Sequence, residues 1–276
     1  MILPICLAMA LGCGGNTAAR DSGVADAAAD ATARDSSLAD AGSRDSAVDA
    51  TVDATADAGC IAPAAEVVHF DTEDGVTLEA DRYVMPGSTR DAVLLHMIPP
   101  SNDRTNYPPD FIQALTCRGL SVLNVDRRGA GGSGGVAAEA YTGPNGVLDA
   151  RAAVAFLGDD VAGRDFVIVG ASNGTTTTLD YVAYAEDASA NLPSRVVFLS
   201  GGGYSTNQNA LDPTRFGALP WLFVYPAGEA SWNDAVAATA PSVWRFEQYT
   251  PGAHGTGVFA ADATSIDLVA DFLAAP

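Results

Sequence analysis

An α/β domain built on a mostly parallel sheet is what this sequence predicts, on three observations. Five near-continuous apolar runs, "AVLLHM", "LSVLNVD", "FVIVGA", "RVVFLS" and "WLFVYP", have the length and β-branched or aromatic content of strands buried on both faces. Segments with helical apolar spacing separate most of them. Residues 60–276, 217 in all, suffice for one well-buried domain.

The chain opens with "MILPICLAMALGCGG", in which Ile2 to Leu11 form an apolar run far shorter than the roughly 20 residues that cross a bilayer. Residues 1–12 therefore read as an export signal of lipoprotein type. The "ALGC" that ends in Cys13 resembles a bacterial lipobox, in which the cysteine is lipidated and becomes the mature N-terminus. Two features depart from that pattern: there is no basic segment before the apolar run, and Ala10 stands where the lipobox usually carries Leu. A plain secretory signal or a buried apolar segment is the alternative. The expected location is the bacterial cell envelope, with the chain lipid-anchored to the outer membrane, or otherwise secreted.

Residues 13–59 are dominated by Ala, Asp, Ser and Thr, contain no aromatic residue and place an aspartate every four or five positions. Such a stretch buries too little apolar surface to offset its ordering entropy and reads as a disordered tether. If Cys6 leaves with the signal and Cys13 carries lipid, Cys60 and Cys117 remain. In an oxidising compartment they form either a disulfide or two independent buried thiols.

The domain, 60–276, carries 25 acidic residues against 11 arginines, and the whole chain has no lysine. This negative excess argues against nucleic acid or an anionic membrane surface as a partner. The only membrane association expected is through the N-terminal lipid.

Within the domain, "EVVHF" and "VTLEADRYV" alternate apolar and polar residues like exposed strands, and the five buried runs follow. "PDFIQALTCRG", "GVLDARAAVAFLG" and "TTTTLDYVAYAEDA" have helical spacing. "WRFEQYT" adds an eighth strand, and "DATSIDLVADFLAA" a last helix. No intervening segment is long enough for a large lid. Ligands of such sheets bind at the carboxyl ends of the strands.

Two segments fit G-x-S-x-G. In Gly170-Ala171-Ser172-Asn173-Gly174 the serine follows the buried strand "FVIV" and precedes a helix. A sharp strand-to-helix turn there lifts the hydroxyl clear of the sheet and brings the Asn173 N–H beside it. The plainer role for Ser172 is a helix cap. Gly131-Gly132-Ser133-Gly134-Gly135 lies in a loop too rich in glycine to define a helix start. That loop also satisfies G-x-G-x-x-G at Gly129, Gly131 and Gly134, but it lacks the first-strand position and the acid at the end of the next strand that a dinucleotide site needs.

"LLHM", "VLNVDRRGAGGSGG", "VIVGASNG", "VFLSGGG" and "YTPGAHGTGVF" occur in the order and spacing of the α/β-hydrolase superfamily, and the domain resembles small bacterial dienelactone-hydrolase-like serine esterases over essentially all of 67–276. The resemblance implies a serine hydrolase without cofactor or metal, acting on a small-molecule acyl ester. It implies Ser172 as nucleophile and His254, in the loop after the last strand, as base, with backbone N–H groups of Asn173 and Ile98 as the oxyanion hole and Met97 as the fallback for Ile98. His96 would support the oxyanion loop, whereas His69 precedes the sheet core.

The acid departs from the family pattern. Ser231 stands where relatives usually carry Asp, and a hydroxyl cannot stabilise an imidazolium as a carboxylate does. Glu229, two residues earlier, is the expected acid, with Asp234 as second choice; the bland role for Glu229 is a charge at a helix N-terminus. Met97, Tyr107, Tyr141, Tyr204 and Trp232 fall on loops that border the site or serve packing. A second function follows from the missing Asp: a catalytically weakened hydrolase-like binding protein of the envelope.

Overall fold

The computed structural model describes residues 59–141, 144–160 and 165–276, with the side chains of 159 and 160 left aside. The expected signal segment, Cys13 and nearly all of the tether lie outside the described residues.

Eight strands form one sheet: β1 (Glu66–Asp71), β2 (Thr77–Tyr83), β3 (Arg90–Leu95), β4 (Leu120–Val125), β5 (Asp165–Ala171), β6 (Arg195–Leu199), β7 (Trp221–Pro226) and β8 (Trp244–Tyr249). Their order is β1-β2-β4-β3-β5-β6-β7-β8. β1 and β2 pair antiparallel, β2 pairs antiparallel with β4, and from β4 to β8 every pairing is parallel. The two alternating segments are thus the antiparallel edge, and the near-continuous runs are the parallel interior, as two-sided burial requires.

Among the described residues seven α-helices flank the sheet: α1 (Pro109–Cys117), α2 (Gly146–Asp160), α3 (Gly174–Asp187), α4 (Thr206–Asn209), α5 (Ala230–Ala237), α6 (Val258–Ala261) and α7 (Thr264–Ala274). Strand residues alternate between two cores. On β5, Phe166 and Ile168 pack into one with Leu157 and Tyr181 of α2 and α3, while Val167 and Val169 pack into the other with Phe111 and Phe259 of α1 and α6. β6 and β7 repeat this, Phe198 and Phe223 facing one side and Val197 and Leu222 the other. The period of two inside an unbroken apolar run is what places helices on both faces. No large lid stands over the described residues, and none of their helices is long and apolar enough to cross a membrane.

Cys60 and Cys117 are joined in a disulfide with Cα atoms 5.8 Å apart, closing a sequence separation of 57. The Gln113 side chain donates to the Cys60 carbonyl at 2.9 Å, so the start of the domain is fastened to α1 twice. Closing a loop of that length stabilises a fold by about 4 kcal/mol in the chain-entropy model.

Candidate active site

The carboxyl ends of β3 to β8 converge on one pole of the sheet, and every chemically suggestive side chain is carried by the turn after one of them. Ser172 follows β5 with φ +49, a left-handed conformation unusual for a residue with a Cβ. Local bonds hold it there: its N–H donates to the Leu199 carbonyl at 2.7 Å, and its own carbonyl accepts from the Thr175 N–H at 2.9 Å and hydroxyl at 2.5 Å. The flanking glycines are needed for space. A Cβ on Gly170 would stand 2.5 Å from Thr178 Oγ1, and one on Gly174 would stand 2.4 Å from the Leu95 carbonyl oxygen. The elbow is therefore wedged tightly between α3 and the end of β3.

His254 lies beyond β8. Its Nε2 is 2.6 Å from Ser172 Oγ, and its Nδ1 is 2.6 Å from Glu229 Oε1. With the carboxylate ionised, Nδ1–H donates to Glu229 and Nε2 accepts from the serine hydroxyl. Glu229 caps α5 beyond β7 yet turns its side chain away from the helix to reach the imidazole; its second oxygen, Oε2, is buried and has no partner. Ser231 sits exposed in the first turn of α5, and Asp234 pairs with Tyr225. Of the two acids considered, the structure brings only Glu229 to His254.

Ser200, after β6, is a second left-handed serine, φ +58, and its hydroxyl accepts the Gly255 N–H at 2.8 Å. It thereby holds the loop that carries His254. Gly255 has φ +58, and a Cβ there would stand 2.4 Å from Met97 Sδ, so the histidine loop and the loop after β3 touch. Nothing in the sequence singled out Ser200 beyond its place at a strand end.

The Asn173 and Ile98 backbone N–H groups have no protein partner among the described residues. The Ser172 N–H, in contrast, is committed to Leu199. Asn173 opens α3, where the helix dipole adds positive potential. His96 is fully buried, with Nδ1 2.8 Å from the Met97 carbonyl and Nε2 accepting the Arg127 N–H at 2.8 Å. Burial, aided by the Arg127 charge, depresses its pKa to about 3, so it stays neutral and fixes the loop after β3 by a single tautomer.

Tyr204 is half exposed and donates to the Ser200 carbonyl at 2.9 Å. Burial and the Glu229 charge raise its phenol to about 12. Tyr204 and Tyr141 also line a cavity of about 360 Å³ with Thr176 and Asp180. A larger one, about 450 Å³, includes none of these residues and is lined by Arg151 of α2 with Tyr181 and Tyr184 of α3. Tyr107 is a packing residue: it is buried, and its hydroxyl donates to the Leu95 carbonyl at 3.1 Å. Trp232 packs against Phe223 and beside Gly201. Among the described residues no cluster of three or more His, Cys, Asp or Glu is placed to hold a metal ion.

No family model and no curated protein sequence matches the chain. Solved structures do. An esterase from Pyrococcus furiosus is 17% identical, with 76% of this chain and 90% of that one covered at a TM-score of 0.56. A dienelactone hydrolase from Anabaena variabilis is 16% identical, covering 77% and 97% at 0.57. A Xanthomonas campestris protein described as an α/β serine hydrolase without lid is 14% identical, covering 75% and 92% at 0.53. At such identities the likeness concerns the fold, and function has to be argued from the site. The domain has the α/β-hydrolase fold, without a large lid among its described residues.

Proposed function

We propose that the chain is an exported serine hydrolase that cleaves carboxylic esters or related acyl compounds through an acyl-enzyme. The observation that carries this reading is the continuous relay Ser172 Oγ, His254, Glu229, with 2.6 Å at each link. Ser172 Oγ would attack the acyl carbonyl while His254 Nε2 takes its proton, and the imidazolium so formed would lie against the Glu229 carboxylate. The oxyanion would face the free N–H groups of Asn173 and Ile98. Collapse of the adduct returns the proton to the leaving alcohol, and a water activated by His254 then releases the acid. No step calls on a metal or cofactor.

The reading as a weakened binding protein was motivated by the missing Asp at position 231. Glu229 at hydrogen-bond distance from His254 takes away that motive. A site open for want of a large lid favours small esters over long buried acyl chains. Export, lipid attachment at Cys13 and residence at the outer membrane remain part of the proposal on the strength of residues 1–13, and the Cys60–Cys117 disulfide favours an oxidising compartment.

Fluorophosphonate labelling of the full chain, with p-nitrophenyl acetate turnover beside it, tests the reaction. Stoichiometric labelling that disappears in Ser172→Ala supports it. A folded wild-type chain that neither labels nor turns over would overturn it.

A further inference from the structure

Arg127 and Arg128 are adjacent, and both are completely buried. Arg128 is paired: its guanidinium meets Asp149 at 2.7 Å and Asp74 at 2.8 Å. Among the described residues no carboxylate hydrogen-bonds Arg127, although the Asp149 charge acts on it through space. Its arms reach neutral acceptors instead: the carbonyls of His96 and Met97 at 3.3 Å each, the Asn173 side-chain oxygen at 3.1 Å from both arms, Thr177 Oγ1 at 2.8 Å and the Ala140 carbonyl at 2.8 Å. Nε is buried without a partner. Burial lowers its pKa only to about 10, which leaves the guanidinium charged at neutral pH.

Burying a cation without a counter-ion is costly, and one that only cross-links loops would be better replaced by an apolar side chain. The acceptors suggest what the charge does. Met97 directly precedes Ile98, and Ile98 and Asn173 are the two residues whose backbone N–H groups the proposed mechanism assigns to the oxyanion. Met97 and Asn173 are thus gripped by one planar fork, which belongs to the only buried arginine among the described residues without a carboxylate in direct contact.

Resting on the serine-hydrolase reading, we propose that Arg127 is a positioning residue of the oxyanion site, holding the Met97 backbone and the Asn173 side chain at a fixed separation and supplying a positive potential, only partly offset by Asp149, behind the developing oxyanion. It touches no substrate. Its contribution grows as the acyl oxygen gains charge, so it acts on the transition state more than on substrate binding.

The test compares the full chain with Arg127→Met and Arg127→Lys, using p-nitrophenyl acetate kinetics and two inhibitors of one carbon skeleton, a methyl ketone and its trifluoromethyl analogue. On the latter, Ser172 Oγ bonds to the carbonyl carbon, the C=O π pair moves onto oxygen, and the serine proton passes to His254, leaving a stable oxyanion. The expectation for Arg127→Met is a fall in kcat of roughly tenfold or more with KM nearly unchanged. The trifluoromethyl ketone should weaken by a similar factor and the methyl ketone should not, while Arg127→Lys, which keeps the charge, recovers part of both losses. A folded Arg127→Met chain that keeps its kcat and its ratio of the two inhibition constants overturns the proposal, as does a Lys variant no better than Met. Should Arg127→Met not fold, Asn173→Ala takes its place: it removes the acceptor shared by both arms but keeps the backbone N–H, and an unchanged inhibitor ratio there is equally fatal. If the wild-type chain neither labels with fluorophosphonate nor binds the trifluoromethyl ketone, the hydrolase reading fails first and this one with it.

Discussion

The same five-residue pattern occurs twice in this chain, and the two copies do different things. Ser172 follows a buried strand, and His254 stands 2.6 Å from its hydroxyl. Ser133 lies in a loop where its hydroxyl donates to the Asp126 carbonyl at 2.6 Å and accepts the Glu79 N–H at 2.8 Å, so it fastens the loop to the antiparallel edge. The glycines divide likewise. Gly170 and Gly174 have ordinary backbone angles and are needed because neighbours crowd them, whereas Gly131 and Gly135 have φ of +50 and +83, with Asp126 crowding Gly131 as well. A pattern of residue types gains meaning from the element that precedes it and the partner that topology brings to it.

The largest effect should separate the two serines. Ser172→Ala is expected to abolish labelling and lower kcat by about 10⁴-fold or more, while Ser133→Ala leaves the labelling rate within about twofold and only softens the melting transition. Comparable activity loss in both would erase the distinction.

Next come the acids. Glu229→Gln should lower kcat by roughly 10²–10⁴, since the amide stabilises no imidazolium, whereas Asp234→Asn, on the same short helix, should change kcat little. The opposite ranking would place the acid elsewhere.

The glycines sharpen the contrast on stability. Gly174→Ala pushes a methyl against the Leu95 carbonyl and should cost both labelling and several kcal/mol of stability. Gly135→Ala should cost about 1–2 kcal/mol through its left-handed backbone and spare the labelling of whatever folds. Urea melts and labelling rates on the same preparations check both.

A smaller effect contrasts the two pole-end histidines. His96 has a folded pKa of about 3 against about 6.5 unfolded, so the unfolded chain takes up the proton first. Its contribution is complete above pH 6.5 and drains away as pH falls toward 3, by up to about 1.4 kcal/mol per unit. Urea midpoints between pH 7 and 5 should fall more steeply in the wild type than in His96→Asn; parallel slopes would show that His96 does not control them.

The five strands β3 to β7 were legible because burial on two faces leaves an unbroken apolar run, and Ser172 because a strand and a helix bracket it. Four-residue helices such as α4 and α6 leave no periodic trace. Glu229 was legible as a loop carboxylate, but its reach depends on how α5 begins. Arg127 was not legible at all: an arginine pair before a glycine-rich loop reads as solvated, and only the fold shows that it is buried. The run Thr175 to Thr178 reads in the sequence only as the start of a helix. In the structure its hydroxyls serve the Ser172 carbonyl, Gln208, Arg127 and the Gly174 carbonyl in turn.

The disulfide also sets the molecule's polarity. Cys117 ends α1, three residues before β4 begins, so Cys60 is moored where the parallel strands start, while Ser172 lies where they finish, about 20 Å away along a six-residue strand. Were the chain anchored at Cys13 as proposed, the anchor would join the domain at the end of the sheet opposite Ser172, which leaves the mouth of the site unobstructed by its own mooring.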